Sequence, residues 1–239
     1  HQDNMASLRK VFKFGKWKSI YKDEGDYAGR TIIQRSDYSF KIRQAKFIKE
    51  RLKVIELPKG RKSMKKEAIT PGERTQLRAV LGGINWLQRE TRPDQAGNAS
   101  IGMSRILKAT VQDLCDANLS VAQLKADPYL GIIIPSIPLA QLKWATIQDA
   151  SFANGAENKS QAGFLVGATT QALWNNQPAP FALISYKSHG LKRVVSSTLA
   201  AETLSMSEAL AEVEWVRGLF EELCNPLFSI NEWQSRSRH

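Results

Sequence analysis

The sequence predicts a mixed α+β fold whose C-terminal part runs strand, strand, strand and long helix. Three apolar or β-branched runs follow one another after residue 142, and their composition and alternation are typical of strands. From Ser196 onward, apolar residues recur every three or four positions, which indicates a helix.

The first third of the chain is predicted to be rich in strands and basic residues. Residues 8–20 and 30–43 are predicted strands, with a turn at residues 35–38, and residues 44–54 are a predicted basic amphipathic helix. Residues 58–66 are a predicted linker, because Pro58 is a breaker and a basic run follows it.

The middle of the chain is predicted to be helical. Thr70 and Pro71 are a typical helix start, and this helix should run to about Glu90, since Thr91–Pro93 disfavours its continuation. Two more helices are expected at about 94–107 and 110–125, and the prolines at 135 and 138 mark a boundary. The predicted regions are therefore 1–66, 67–135 and 136–239.

The last region contains the predicted strands at about 142–151, 162–168 and 181–186. The dipeptide at 154–155, Asn-Gly, is a strong turn signal between the first two. Asp149 lies near the end of the first strand, on the mostly apolar face that also carries Ala145 and Ile147. His189 is expected in a loop.

Glu202 is the second acidic residue of interest, because helical spacing places it at the N-terminal end of an apolar stripe. A carboxylate on an inward face is costly unless it is paired, hydrogen-bonded or bound to a metal. Glu202 and Asp149 are therefore candidate catalytic or metal-binding acids. Alternatively, Glu202 is an ordinary charge favoured by the dipole of the first helical turns. The stripe comprises Met206, Ala209, Val213, Val216, Phe220 and Leu223.

Nine short segments occur in a recognisable order: Phe14–Trp17, Gln44–Ile48, Arg51–Leu52, Leu81–Leu87, Thr91–Asp94, Gln148–Ala150, Ile184–Ser188, Ser196–Glu202 and Glu214–Leu219. Together they resemble the copia-type retrotransposon Pol polyprotein where reverse transcriptase joins ribonuclease H. The resemblance covers most of the chain. It implies an incomplete ribonuclease H-like domain of three antiparallel strands and a long helix (136–239). The end of the polymerase palm (1–66) and a helical thumb or connection region (67–135) would precede it.

The resemblance also implies a chemistry. Ribonucleases H of this family degrade the RNA strand of a DNA–RNA hybrid, using two divalent metals held by carboxylates. It makes Asp149 and Glu202 the first two acids and Mg²⁺ (or Mn²⁺) the cofactor. It places Ser197 and Thr198 near the nucleic-acid backbone; their alternative role as an ordinary helix N-cap is the one we favour.

Three departures from the family predict an impaired nuclease with weak metal binding. The family has a third acid at the end of a fourth strand after the helix, whereas no Asp follows Asp149 here and Glu232 has no matching context. The family also has one fewer residue between Thr198 and Glu202. No Asp-Asp pair occurs, so no polymerase centre is expected. The alternative function is non-catalytic nucleic-acid binding.

Positive charge is concentrated in the first third. The chain has a net charge of +11, with 19 Lys and Arg against 7 Asp and Glu in residues 1–66 and 15 against 16 in the remainder. Such a block predicts phosphate contacts, and the interleaved aromatic residues suit base stacking. The same aromatic residues are equally compatible with a core beneath a basic outer face. The candidate phosphate ligands are Lys13, Lys16, Lys18, Arg61 and Lys62.

The expected partners are nucleic acid, as a DNA–RNA hybrid or a duplex, and by resemblance the remainder of a polyprotein. No apolar run reaches about 18 residues, so no membrane partner is expected. Cys115 and Cys224 lack metal-site spacing and indicate reduced thiols in a reducing compartment, the cytoplasm or nucleus.

Overall fold

The chain has a mixed α+β fold. The computed structural model describes residues 10–12, 19–21, 23–153 and 159–236. These residues form two antiparallel sheets and six α-helices.

The first sheet has the order β1-β2-β3-β4, with every neighbouring pair antiparallel. The predicted pair of strands at 30–43 is confirmed by β2 and β3. The strand prediction for 8–20 is wrong where it can be checked, because residues 10–12 and 19–20 lie outside any strand and the others lie outside the described residues. The strands are β1 (Glu24–Tyr27), β2 (Arg30–Gln34), β3 (Phe40–Arg43) and β4 (Ile132–Ile134).

Four helices connect β3 to β4: α1 (Ala45–Glu50), α2 (Pro71–Glu90), α3 (Ala96–Arg105) and α4 (Val111–Ala126). The predicted start and end of α2 are confirmed. The Thr70 hydroxyl accepts the Glu73 N–H at 3.2 Å, and the Glu73 carboxylate accepts the Thr70 N–H at 2.8 Å, which is a capping box. The helix ends before Pro93, as expected from the bias of the preceding residue away from helix.

One hydrophobic cluster holds this half together. Its members come from all four helices and from the segments that connect them, so the regions predicted as 1–66 and 67–135 share a core. The buried Arg92 adds polar contacts to this half. The Arg92 guanidinium donates two hydrogen bonds of 2.8 Å to Asp94 and one of 3.0 Å to the carbonyl of Asp127. Burial alone would raise the pKa of Asp94, but these bonds from Arg92 hold it below its ordinary value.

The second sheet has the order β5-β6-β7, again antiparallel, and the long helix α5 packs on one face of it. The predicted order of strand, strand, strand and helix is confirmed. His189 lies within β7 and not in a loop, so that expectation was wrong. The elements are β5 (Lys143–Ser151), β6 (Gln161–Thr169), β7 (Ala182–Gly190), α5 (Thr198–Cys224) and the short α6 (Ile230–Arg236).

The buried line of α5 agrees with the predicted stripe at Ala209 and Val216 but differs from it at Met206 and Leu223. Ala201, Ser205 and Ala209 are fully buried, whereas Met206 is 51% exposed and Leu223 is 84% exposed. The helix therefore lies on the sheet through its smallest side chains in the N-terminal half. Larger residues make the contact in the C-terminal half, with Val216 buried and the Phe220 ring 5.3 Å from that of Trp144.

Candidate active site

The end of β5 meets the first turns of α5, and this contact involves one of the two candidate acids directly. The Glu202 carboxylate accepts a hydrogen bond of 3.3 Å from the backbone N–H of Ala150. Ala150 follows Asp149 in the strand. The fold therefore brings Glu202 to the strand position next to Asp149.

Asp149 does not point into the interior. Successive side chains of a strand alternate between faces, and because Ala150 is buried beneath α5, Asp149 lies on the opposite face and is exposed. Ile147, on the same face, is 56% exposed. The interpretation of this face as inward was wrong, because an apolar pattern does not reveal which face a neighbouring element covers.

The Asp149 side chain lies in an open groove of about 350 Å³ between the sheet and the start of α3. Gly163 and Tyr186 contribute the sheet side of this groove, and Pro93 and Gly97 contribute the helical side. The Asp149 carboxylate forms no hydrogen bond or ion pair with the residues that the structure describes. Its carboxylate is therefore available to an external ligand.

Backbone and side-chain contacts hold the start of α5 in place. The Ser205 hydroxyl donates to the carbonyl of Asp149 at 3.1 Å and lies 3.5 Å from that of Gly163. The Ser197 side chain accepts the Ala200 N–H at 3.1 Å, which confirms the N-cap that we favoured. Thr198 begins the helix and is exposed. Ser205 was not identified from the sequence; its four-residue spacing from Ala201 and Ala209 is the signal that could have indicated it.

The residues that are present do not fit a two-metal centre. Within residues 10–12, 19–21, 23–153 and 159–236, no group of three or more His, Cys, Asp or Glu could hold a metal ion. The Asp149 side chain is on the face of the sheet opposite α5, and one oxygen of Glu202 is occupied by a backbone N–H. Hard divalent cations need several oxygen ligands around one point, so no catalytic step through a metal follows from these two acids.

A second cluster of polar residues links α5 to β7. The His189 Nε2 atom lies 2.7 Å from the Glu208 carboxylate, with the Lys187 amine at 4.0 Å from it, and the Ser185 hydroxyl donates to Glu212 at 2.6 Å. Burial lowers the pKa of His189 below its ordinary value, although Glu208 acts in the opposite direction. Through these contacts both glutamates link α5 to β7.

The basic candidates fall into three groups. Lys13, Lys16 and Lys18 lie outside the described residues. The Arg61 guanidinium is used within the molecule, since it donates two hydrogen bonds of 2.9 Å to Glu73 and one of 2.6 Å to Glu67. Lys62 is exposed, as are Lys59, Lys65 and Lys66.

Comparison of the chain with protein-family models, with curated proteins and with solved structures finds no match. Among the described helices, none combines the length and the apolar character needed to cross a bilayer.

Proposed function

We propose that this chain is a segment of a copia-type retrotransposon Pol polyprotein that binds a DNA–RNA hybrid through a ribonuclease H-like unit with an impaired nuclease centre. The observation that carries the proposal is the contact between the strand end that contains Asp149 and the first turns of α5, where the Glu202 carboxylate accepts the Ala150 N–H. The succession of three antiparallel strands and a long helix supports it. An impaired centre is supported by two observations. Within the described residues no group of three or more His, Cys, Asp or Glu could hold a metal ion, and the Asp149 carboxylate lies on the face of β5 opposite α5.

Binding without metal provides the first test. If the RNA backbone passes the end of β5, the exposed Asp149 carboxylate repels a phosphate, because two like charges about 4 Å apart in water differ by about 1 kcal/mol from a neutral pair. In EDTA, Asp149→Asn should therefore raise the affinity for a hybrid about two- to fivefold. Fluorescence anisotropy with a labelled hybrid measures this change.

The matched control is Glu214→Gln, which neutralises a carboxylate on the same half of the molecule, where Glu214 is paired with Arg217 at 2.7 Å. It should change the affinity by less than about twofold. Equal affinities for the wild-type chain and Asp149→Asn would contradict the placement of the hybrid. In a cleavage assay with Mg²⁺ or Mn²⁺, we expect no cutting above background. Cleavage by the Asp149→Asn variant would contradict the assignment of Asp149 as a catalytic acid.

A second candidate function is hybrid or duplex binding through the basic first third alone. The observation that favours it is the exposed group Lys59, Lys62, Lys65 and Lys66 around the turn at 61–63, none of which forms an ion pair with a described residue.

Salt dependence tests this candidate. Each lysine–phosphate contact contributes about one to the slope of log affinity against log salt concentration. The double variant Lys62→Ala/Lys65→Ala should therefore lower the slope by about two. Arg78→Ala, an exposed arginine of α2 outside the basic block, is the control and should leave the slope unchanged. An unaltered slope in the lysine variant would show that this group is only a solvated surface.

A further inference from the structure

The outer edge of β5 is open as far as the described residues extend. Among the described residues, β5 pairs with β6 alone, and its other contacts are mainly with α5. The opposite edge strand, β7, is contacted by α3 and β4. The open edge is nine residues long and contains no proline. Long unpaired edges of this kind are templates for pairing with another strand.

The backbone groups that face outward can be identified from Glu202. Because the N–H of Ala150 reaches Glu202 and not β6, it points to the open edge. Alternate residues of a strand direct N–H and C=O to the same side, so Trp144, Thr146 and Gln148 also face outward. The Ala150 N–H is already bonded to Glu202. The outward-facing residues that remain accessible are therefore Trp144, Thr146 and Gln148, with Thr146 at the midpoint.

An apolar surface lies beside this edge. Glu202 and Phe220 reach β5 from one side of α5, the first at Ala150 and the second at Trp144. Met206 is one turn from Glu202 on the same side, which follows from the four-residue spacing. Met206 is 51% exposed and Leu210, one turn further, is 53% exposed. A strand added to β5 would therefore meet apolar side chains of the helix as well as free backbone groups.

We propose that the open edge of β5 binds a second copy of this chain, by antiparallel pairing of β5 with β5 of the partner about a two-fold axis at Thr146. In this register Lys143 lies opposite Asp149 on both sides of the axis, and Ala145 lies opposite Ile147. The midpoint of the accessible edge and the charge pairing thus select the same register. Such an interface is isologous, as in most homodimers. It does not depend on the proposed function.

Neighbouring registers fit less well. A shift of the axis to Ile147 would place Lys143 opposite Ser151 and would require Trp144 to pair with Ala150, whose N–H is already bound to Glu202. A shift to Ala145 would place Lys143 opposite Ile147 and leave Asp149 beyond the paired residues. Opposite charges across a strand pair stabilise it, whereas like charges destabilise it.

Charge reversal tests the register. Sedimentation equilibrium on the full chain should show a dimer, and Lys143→Asp or Asp149→Lys alone should weaken association at least about tenfold. The double variant Lys143→Asp/Asp149→Lys should restore the dissociation constant to within about threefold of the wild-type value. Lys192→Asp, a reversal of an exposed lysine beyond β7, is the control and should not change it.

A proline variant tests the edge itself. Proline is tolerated on an edge strand where the N–H faces outward, so Thr146→Pro should keep the circular dichroism spectrum of the wild-type chain and yet be monomeric. Ile147→Pro removes an N–H that faces β6 and should lose the native spectrum. A wild-type chain that is monomeric at about 100 µM, a folded Thr146→Pro variant that still dimerises, or a charge-reversed pair that does not recover would each overturn the proposal.

Discussion

Arg61 illustrates, at the scale of one residue, why a basic sequence context does not establish a phosphate contact. Its guanidinium bonds to the carboxylates of Glu67 and Glu73 and to the carbonyl of Ala68 at 3.0 Å. Glu73 in turn caps α2 through the backbone N–H of Thr70. Arg61 therefore connects the linker to the start of the helix, and its donors are used within the fold.

Acid titration should reveal this connection. The hydrogen bonds from Arg61, and then those of Thr70, lower the pKa of Glu73 to about 2 despite the opposing effect of burial. Because the folded-state pKa lies below the ordinary value, protonation favours the unfolded chain. The free energy of unfolding should therefore fall as the pH drops from about 5 to about 2.

Glu73→Gln should remove this part of the pH dependence and cost about 1 kcal/mol at pH 7, through the weakened cap. Urea denaturation of both chains across the pH range measures the difference. Glu56→Gln, at an exposed carboxylate, should leave the profile unchanged. If the stability of Glu73→Gln parallels that of the wild-type chain at every pH, this part of the pH dependence does not come from Glu73.

At the scale of elements, α2 and α5 differ in how much the sequence could predict. Local chemistry specifies α2, since Thr70, Pro71 and Glu73 act on its own first turn. The length and position of α5 were equally predictable, but its buried face was not. Ala201, Ser205 and Ala209 make the contact with the sheet, and hydrophobic spacing gives small residues little weight. The exposure of Asp149 was also beyond the sequence, because it depends on which face of β5 another element covers.

The attachment of β4 to β3 depends on one glycine. A Cβ atom at Gly131 would meet the carbonyl oxygen of Ile42 well inside contact distance and the Cβ of Arg43 at 3.0 Å. Gly131→Ala should therefore displace β4 from the first sheet and cost about 1–3 kcal/mol.

Gly72→Ala provides the comparison, because a Cβ atom there meets nothing within 4 Å and alanine favours a helix by up to about 1 kcal/mol. Urea denaturation of both variants should show a loss for the first and no loss for the second. Equal free energies of unfolding for the two variants would mean that β4 can shift relative to β3 without cost, so that Gly131 is not required.

At the scale of the whole molecule, the two halves have separate hydrophobic clusters. Leu77 belongs to the cluster of the helical half and Val166 to a cluster between the second sheet and α5. A polar contact between the halves is made by Gln161, whose amide donates at 2.9 Å to the hydroxyls of both Ser100 and Ser188. We expect the halves to open as separate cooperative units.

Hydrogen exchange with peptide resolution tests this expectation. Leu77→Ala and Val166→Ala should each cost about 2–4 kcal/mol in their own unit. The first should accelerate exchange in α2 and α4 but not in β6, and the second should do the reverse. Uniform acceleration throughout the described chain by either variant would show a single cooperative unit.

In the candidate site, as in the helices, the local features were predictable from the sequence and the contacts between elements were not. The positions of Asp149 at a strand end and of Glu202 at a helix start were predictable from the sequence, because both depend on local pattern. The hydrogen bond to Ala150 and the support from Ser205 were not, since they depend on how closely α5 approaches the sheet.

That approach has a consequence for substitutions that leave both acids unchanged. Ala201, Ser205 and Ala209 act as thin spacers between two layers, and a longer side chain at any of them would lift the first turns of α5 away from β5. The hydrogen bond between the Ala150 N–H and Glu202 would then be lost. Its donor–acceptor distance of 3.3 Å is already near the upper limit for a hydrogen bond. Larger residues at these three positions would therefore break the contact between α5 and the end of β5 while every charged group of the site remained in the sequence.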